Sequence, residues 1–512
     1  MTFFENLLVL LLAAVVLLQL ARRVALPYPA MLAVAGVAVA FIPGAPTIRI
    51  DPDTALALFI APVLLDAAYD FPVIAASALW RPLMVLAAGA VLVSAAVVAA
   101  IGWWTAGLPV AAALVLGAIV APPDAAAAVA VLGTVSLPRR TIGVLKGESL
   151  FNDAVALLLF NGALTVQMSG GLDGSTGLRL AVAVPGGILL GIGLGLAMRW
   201  VSRVVANTLG GNVLQFLNAF LVWIVAEHLH LSAVLAVVAC AMTVARSPET
   251  TGSPRMRVHS FAVWASVVFL LNVLAFLLMG MQARLILGRI PGYRLWEAAR
   301  FAALVIAAIT ATRFVIVLVW NRLAARFAGI RGQLPPPTLG QGVAVAWSGM
   351  RGLVTLATAF ALPADFPQRE LVVLTAFGVV LATLVVQGLT LAPLIRWLRL
   401  DRMEDPAGDL AEARRTLAQV GLEQIDALGA GNDLTLRDLY GLKCAASPPS
   451  ATERLHGYRR LGLAVVGAQR QALRRLRDEQ RIDMDAYYLL QEEIDWRELT
   501  LLPDSQRRID EV

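Results

Sequence analysis

The sequence predicts an all-α polytopic membrane protein with about thirteen transmembrane helices and a helical C-terminal tail. Two features of the composition predict this class: 59% of the 512 residues are hydrophobic, and only 15% are charged. A water-soluble protein carries roughly a quarter charged residues. A third observation is that apolar stretches long enough to cross a bilayer as helices recur up to about residue 400. We therefore assign residues 1–400 to a transmembrane domain and residues 401–512 to the tail.

Thirteen apolar stretches are predicted to cross the membrane. They are residues 4–24, 27–43, 53–72, 82–102, 109–134, 147–169, 178–201, 213–229, 231–246, 261–283, 296–321, 340–362 and 369–397. The first is too long and too continuous for a cleaved signal, and no small-residue cleavage site follows it. The eighth and ninth are the least separated, because almost no loop lies between them around His228 and His230.

The distribution of basic residues predicts the orientation. An odd number of spans places the two termini on opposite sides of the membrane. With the tail inside, the inside loops hold fourteen Arg and Lys residues and the outside loops hold seven. Because basic loops stay in the cytoplasm, we expect a multi-pass protein of the inner (plasma) membrane with its N-terminus outside and its tail cytoplasmic. The loop that holds Arg284, Arg289 and Arg294 runs against this rule.

The fifth and twelfth spans are interrupted. In "VAPPDAAAAVAVL" the pair Pro122–Pro123 removes two amide donors from a helix. In "AWSGMRGLVTLATAF" the stretch from Ser348 to Gly352 places two glycines and a charge among apolar residues. If the seventh span is a connector, each interrupted span is the fifth of a six-span block. Two inverted six-helix repeats with discontinuous helices are typical of secondary transporters, whose sites lie where such helices meet.

The sixth span begins with polar groups in "GESLFNDAVALLLF". Ser149 and Asp153 are four residues apart and share one helix face, while Glu148 and Asn152 share the adjacent face. A hydroxyl and a carboxylate one turn apart are hard oxygen ligands that suit a small desolvated cation. A carboxylate at this depth otherwise needs a basic partner, and we expect Arg351 to pair with Glu148.

Three other charged groups lie inside spans. Asp124 follows the two prolines, where backbone carbonyls lose their helical donors, and such carbonyls with a carboxylate can bind sodium or a proton. Asp66 is either a proton relay or the acceptor of a bond that orients a helix. Arg313 is expected to anchor one helix to another. The glycines at 187, 191 and 195 form a stripe on the seventh span that permits close helix contact, either at a dimer interface or within the chain.

The remaining features exclude several classes. Cys240 and Cys444 give no disulfide framework, and the four histidines are scattered. We expect no cofactor, no nucleic-acid partner and no enzymatic activity; an intramembrane aspartyl protease would need a Gly-x-Gly-Asp setting that the spans lack. The tail is charged and helix-periodic. It is either a stabilising or oligomerising appendage or a regulator of the membrane domain.

These motifs resemble a known family. "GESLFNDA" resembles the Glu-Ser-x-x-Asn-Asp signature of the monovalent cation:proton antiporter-1 family, which includes the NhaP-like and eukaryotic sodium/proton exchangers. "SGMRGLVTLATAFALP" is similar to its Gly-x-Arg-Gly-x-Val-Ser/Thr-Leu segment, and "LVVQGLTLAPLIRWL" to its last span. The tail looks like that of the bacterial branch. The resemblance implies thirteen helices in two inverted repeats, a homodimer in the lipid bilayer, and exchange of a monovalent cation for a proton by alternating access.

The resemblance also implies residue roles. Asp153 would exchange the proton for the cation, and Asp124, Ser149 and the backbone carbonyl of Pro123 would complete the Na⁺ shell. Asn152 would brace the interrupted fifth span, and Asp66 would gate access. Glu148 and Arg351 would form the structural ion pair. Two departures bear on this assignment: Pro123 replaces a threonine of many relatives, and Asp66 replaces a longer glutamate.

A mechanism and two rivals follow from these roles. Asp153 would be protonated on one crossing and cation-bound on the other, so the two ligands compete. The amide of Asn152, in place of a second acid, implies electroneutral one-for-one exchange. Na⁺ is the expected ion, with Li⁺ or K⁺ as alternatives. A monovalent cation channel and a non-transporting ion or pH sensor of the same fold remain as other readings.

Overall fold

The computed structural model describes helices separated by short connections. It describes residues 5, 9, 11–17, 19, 27–42, 52–69, 71, 79–124, 127–128, 139–171, 174–205, 208–246, 254–288, 292–327, 336–400, 406–427, 440, 449–478 and 484–502. Every regular element among these residues is helical. The chain divides into two compact units, Met1–Met403 and Glu404–Val512, and their boundary lies within a few residues of position 400.

The first unit contains fifteen labelled helices among its described residues. They are α1 Tyr28–Ala40, α2 Ala61–Tyr69, α3 Ala90–Ala106, α4 Val110–Val120, α5 Arg139–Ser169, α6 Gly174–Val204, α7 Leu209–His228, α8 Ala233–Ala245, α9 Pro254–Met281, α10 Ala283–Leu287, α11 Gly292–Arg326, α12 Leu339–Trp347, α13 Leu353–Phe360, α14 Arg369–Ala382 and α15 Gly388–Trp397. Helical residues Pro52–Ala55 and the π-helical turn Leu56–Ile60 lead into α2; π turns Met84–Gly89 and Thr383–Gln387 precede α3 and α15.

Most predicted spans coincide with observed helices. Six helices in the described part of the chain are long and apolar enough to cross a membrane: Leu79–Ala106, Thr141–Ser169, Ala181–Val204, Val263–Leu287, Leu295–Arg326 and Arg369–Trp397. Five shorter apolar helices accompany them, among them Tyr28–Ala40 and Val110–Val120. The chain is therefore a multi-pass membrane protein. Most of the predicted first span lies outside the described residues, so the total of thirteen stays a prediction.

Local sequence signals set the helix ends. Thr338 caps α12 through a reciprocal pair of bonds with Gln341, which satisfies amides at the helix N-terminus that have no partner within the helix. Ser232 accepts a bond from the Leu235 amide at the start of α8. The tight turn between α7 and α8 places His230 in the left-handed region, with φ of 54°. The short connection foreseen around His228 and His230 is therefore present.

Glycines allow several helices to touch backbone to backbone. A Cβ atom at Gly36 of α1 would overlap the Leu277 carbonyl of α9, and one at Gly280 of α9 would overlap the Ala33 carbonyl. Both helices can pack closely only because neither position has a side chain.

The glycine stripe of α6 packs within the chain. Side chains at positions 187, 191 and 195 would overlap Ser232, Ala236 and Thr243 respectively, and Ala236 and Thr243 are residues of α8. Of the two roles open for this stripe, the structure supports intramolecular packing. A dimer interface would have to use another surface.

The second unit holds α16 Pro406–Ala427, α17 Pro449–Asp478 and α18 Met484–Leu501. Val466 and Leu473 of α17 pack against Ile494 of α18 in a small apolar core. Arg470 of α17 forms ion pairs with Asp495 and Glu498 of α18. The tail is thus helical, as its periodicity predicts, and two of its helices form a hairpin.

Candidate functional site

The two interruptions meet each other in the membrane unit. We call residues Ala121–Asp124, after α4, the first break, and residues Ser348–Gly352, between α12 and α13, the second break; none of the nine residues is in a regular helix. The Asp124 amide donates a 2.7 Å hydrogen bond to the Met350 carbonyl. Two non-helical segments therefore bond directly, as expected for discontinuous helices that cross.

Arg351 ties the second break to the first. Its Nε donates to the Val120 carbonyl at 3.0 Å and its Nη2 to the Ala121 carbonyl at 3.2 Å. These carbonyls lie at the C-terminal end of α4, and the Asp124 amide, which would be the helical donor to Val120, bonds to Met350 instead. A guanidinium at the C-terminus of a helix also offsets the negative end of the helix dipole. The side chain donates as well to the carbonyl of Gly349.

Glu148 pairs with Arg313 rather than with Arg351. Arg313 of α11 donates through Nη1 and Nη2 to the two carboxylate oxygens at 2.5 and 3.0 Å. The side chains are 4% and 1% exposed, so the pair is buried. The predicted Glu148–Arg351 ion pair is therefore wrong in its basic partner. The physical reason is that Arg351 donates to the backbone carbonyls of Val120, Ala121 and Gly349, although Glu148 also interacts with it electrostatically.

Arg313 and Arg351 each donate to backbone carbonyls at the end of a helix that precedes a break. Arg313 also donates to the Val345 carbonyl near the end of α12, at 3.1 Å from Nη2 and 3.3 Å from Nε. The first half of each interrupted span thus ends on carbonyls that a guanidinium from another segment satisfies. Gly349 lies between them, because a Cβ there would overlap Arg313 and lie 2.9 Å from Nη1 of Arg351.

Asn152 holds the first break from the side of α5. Its Nδ2 donates a 2.8 Å bond to the Pro123 carbonyl, and the side chain is fully buried. The contact that the resemblance implies is thus present. The Oδ1 atom of Asn152 has no hydrogen-bond partner among the described residues. A carbonyl oxygen has two lone pairs, so Pro123 retains one for a further ligand.

Asp153 is the buried acid of α5 without a basic partner. It is 8% exposed, and its carboxylate makes no hydrogen bond or ion pair with the residues that the structure describes. Its electrostatic neighbour is Asp124, a second acid. Ser149 lies one turn earlier in the same uninterrupted helix, so the shared face predicted for Ser149 and Asp153 is present. An isolated buried carboxylate costs several kcal/mol unless a proton or cation accompanies it.

Asp124 lies against the backbone of the second break. A Cβ at Gly352 would fall on its Oδ2 atom, so only a glycine permits this approach. Gly352 is the N-cap residue of α13. A carboxylate at a helix N-terminus is favoured by the partial positive charge there. The first break therefore brings Asp124 to Asp153 and to the start of α13 together.

Asp66 has a partner that the sequence did not reveal. Trp264 of α9 donates from Nε1 to its Oδ1 at 2.6 Å, and the Trp264 ring stacks on Phe216 with centroids 4.8 Å apart. This contact corresponds to the orienting bond, one of the two roles left open for Asp66. Helix spacing gives no signal for such a contact, because the two residues are 198 positions apart.

The donor atoms near the two breaks are oxygen atoms. No cluster of three His, Cys, Asp or Glu residues occurs in the described part of the chain. The first break and α5 together provide the carboxylates of Asp124 and Asp153, the hydroxyl of Ser149 and the backbone carbonyl of Pro123, which are hard oxygen ligands.

Comparison with known proteins identifies the family. The family model described as "Sodium/hydrogen exchanger, transmembrane" matches residues 8–397. The chain belongs to the sodium/hydrogen exchanger family. The match covers both breaks and all of α5, so the residues described above lie within the part that the family shares.

Relatives of this exchanger family extend the match to the tail. The chain is 32% identical to an uncharacterised Na⁺/H⁺ exchanger of Mycobacterium tuberculosis, over 96% of this chain and 95% of the relative. It is 27% identical to a sodium, potassium, lithium and rubidium/H⁺ antiporter of Bacillus pumilus, over 94% of this chain and 75% of that protein. The structure of a sodium/proton antiporter from Methanocaldococcus jannaschii superposes with a TM-score of 0.59 at 17% identity, covering 79% of this chain and 99% of the other. The fold is therefore that of a sodium/proton antiporter.

Proposed function

We propose that the chain is a secondary antiporter that exchanges a monovalent cation for a proton at Asp153 by alternating access. One observation carries this proposal: Asp153 is buried, and both arginines near the breaks contact other groups. A buried carboxylate without a basic partner is stable only with a mobile positive charge. A proton and an alkali cation can each supply that charge, and they cannot do so at once.

The charges around the breaks support one-for-one exchange. Asp124, Glu148 and Asp153 carry three negative charges, and Arg313 and Arg351 carry two positive charges. The set has one net negative charge, which either one proton or one monovalent cation neutralises. Because a net charge is costly in the membrane interior, both loaded forms can cross as neutral units. We therefore infer electroneutral exchange.

The cation shell is proposed from the groups next to Asp153. Asp124 and Ser149 would contribute side-chain oxygens, and Pro123 would contribute its backbone carbonyl while Asn152 fixes its position. A compact shell of oxygen ligands favours Na⁺ or Li⁺. The Bacillus pumilus relative is named for four alkali cations, so a broader selectivity that includes K⁺ is part of the proposal.

Transport in everted vesicles tests the proposal. Dequenching of a pH-sensitive dye after addition of Na⁺, Li⁺ or K⁺ measures exchange. We expect Asp153→Asn to abolish the signal at normal expression, because a neutral amide neither takes up a proton nor carries the negative charge that holds the cation. The matched control is Asp365→Asn, which neutralises an exposed carboxylate outside the helices. Exchange at the wild-type rate by Asp153→Asn would refute the proposal.

Two further measurements separate the rival functions. A channel would conduct without saturation and would not reverse with an imposed proton gradient, and a sensor would give no dye signal. On a solid-supported membrane we expect no transport current that scales with potential. A sustained current would contradict the one-for-one, electroneutral stoichiometry. The proposal would then keep only the exchange of a cation for a proton.

We also propose the placement in the cell. The N-terminus lies outside and the tail lies in the cytoplasm of a plasma membrane, on the basis of the arginine distribution. The protein acts as a homodimer in the bilayer, through a surface other than the glycine stripe of α6. The tail is a stabilising appendage or a regulator. Cysteine accessibility at Cys444, probed from each side of the membrane in a Cys240→Ala background, tests the orientation.

A further inference from the structure

Among the described buried threonines of the second repeat, Thr355 of α13 differs from its neighbours. Thr358, Thr375 and Thr383 each donate to a backbone carbonyl one turn earlier, at 2.7, 2.7 and 2.8 Å. This bond is the usual way in which a helix satisfies a buried hydroxyl. Thr355 is 1% exposed, and its Oγ1 has no hydrogen-bond partner among the described residues.

The reason lies in the position of Thr355 in the helix. α13 begins at Leu353, so the residue four positions before Thr355 is Arg351, which lies in the second break. The preceding turn that would accept the hydroxyl is missing. A buried hydroxyl without a partner is unfavourable by about 1–3 kcal/mol, and buried polar groups are normally paired with protein, water or a ligand.

The Asp124 carboxylate lies at the start of α13, next to Gly352. A Cβ at Gly352 would fall on Oδ2 of Asp124, so this side of the start of α13 faces the Asp124 carboxylate. Residues three apart on a helix share a side, with about 5–6 Å between their Cβ atoms. Gly352 is the N-cap residue and Thr355 is the third residue of α13, so Thr355 lies within one helical turn of the point that the carboxylate approaches. Asp124 in turn interacts with Asp153.

We infer that Thr355 Oγ1 is a further oxygen ligand of the transported cation, a role that rests on the proposed exchange at Asp153. The cation lies at the Asp124–Asp153 pair, and the Thr355 hydroxyl completes its shell from the second repeat. The other ligands come from the first repeat, at the first break and on α5. Thr355 thus joins both repeats to one ion, and its loss weakens cation binding without removing the proton-carrying acid.

Three variants test this role. Thr355→Val keeps the shape and removes the hydroxyl, while Thr355→Ser keeps the hydroxyl. Thr358→Val is the matched control, since its hydroxyl already bonds to the Val354 carbonyl. We expect Thr355→Val to raise the cation concentration for half-maximal exchange about tenfold, the factor that corresponds to 1.4 kcal/mol. The maximal rate should stay within twofold of wild type, and the other two variants should stay within twofold in both values.

A binding measurement makes the result independent of transport. Cations that bind the folded protein raise its melting temperature in detergent. We expect Na⁺ to stabilise wild type and Thr358→Val, and to stabilise Thr355→Val only at about tenfold higher concentration. If wild type binds Na⁺ in this way but exchanges nothing, the proposed function fails and the ligand assignment stands.

Other outcomes overturn the inference. Half-maximal concentrations of Na⁺, Li⁺ and K⁺ that are the same in Thr355→Val and wild type would show that the hydroxyl contacts no ion. The same conclusion follows if Thr355→Val and Thr358→Val lose affinity equally. If Thr355→Val does not elute as a folded protein, Thr355→Ser and Thr355→Ala replace it, and equal affinities in those two also overturn the inference.

Discussion

Replacing Glu148 with Gln removes the acid from a buried ion pair and leaves Arg313 without its carboxylate. The two side chains are 1% and 4% exposed, and two hydrogen bonds of 2.5 and 3.0 Å join them. Breaking a buried pair by removing one partner costs about 3–5 kcal/mol, because the remaining charge stays buried. We expect Glu148→Gln and Arg313→Met each to lower the free energy of unfolding by an amount in this range.

The double variant distinguishes the two possible basic partners. A neutral pair of similar volume restores much of the loss, so Glu148→Gln with Arg313→Met should be less unstable than the sum of the single variants. Coupling of about 2–3 kcal/mol is expected, near the upper limit for residues in direct contact. For Glu148→Gln with Arg351→Met we expect a coupling below about 1 kcal/mol, because Arg351 donates to the carbonyls of Val120, Ala121 and Gly349.

Denaturant unfolding of the purified protein in detergent, followed by tryptophan fluorescence, measures these values. Gel filtration of each variant first establishes that it is folded. The dye assay in everted vesicles runs in parallel, because a structural pair should lower yield and stability more than the transport rate of the folded fraction. A larger coupling of Glu148 with Arg351 than with Arg313 would refute the pairing and the reasoning built on it.

The remaining predictions concern the contacts of Asp124 and Asp66. Gly352→Ala places a methyl group on Oδ2 of Asp124. We expect this variant to lower cation exchange at least about tenfold, a loss of 1.4 kcal/mol. The control is Gly193→Ala, whose methyl group meets no atom within 4 Å among the described residues, and we expect it to exchange normally. Wild-type exchange by Gly352→Ala would contradict the close approach. Trp264→Phe keeps the stacking on Phe216 but removes the 2.6 Å bond to Asp66, so we expect unfolding free energy to fall by about 1.5–3 kcal/mol. Asp66→Asn should then cost less in the Trp264→Phe background than in wild type, and fully additive losses in the melting experiment would argue against the bond.

The residues that determine the local structure could be read from the sequence. Hydropathy predicts the positions of most of the helices α1 through α15, since a bilayer demands about 20 apolar residues per helix. It does not predict all of their ends, because α5 begins at Arg139 and α9 at Pro254, ahead of the predicted starts at 147 and 261. Pro122–Pro123 and the glycines around Arg351 predict the two breaks, because proline removes donors and glycine weakens a helix. The four-residue spacing of Ser149 and Asp153 predicts a common face, and the uninterrupted helix α5 keeps it.

The partners of the charged residues could not be read in this way. Helix periodicity states which residues share a face, but the face of α5 that carries Glu148 could meet either arginine. Arg313 is 165 positions from Glu148, and Trp264 is 198 positions from Asp66. A glycine stripe likewise predicts that something approaches closely, and only the packing of α6 on α8 identifies what it is.

The sequence by itself determined that the chain is a membrane protein with two interrupted helices and an acid, Asp153, inside a membrane span. These features depend on local chemistry, namely hydropathy, missing amide donors and helical spacing. Only the tertiary structure decided that Arg313 neutralises Glu148, that Arg351 caps α4, and that Asp153 is left without a basic partner. The reason is that an arginine has five donors on a long side chain, so carbonyls and carboxylates compete for it, and the positions of the neighbouring helices settle the competition.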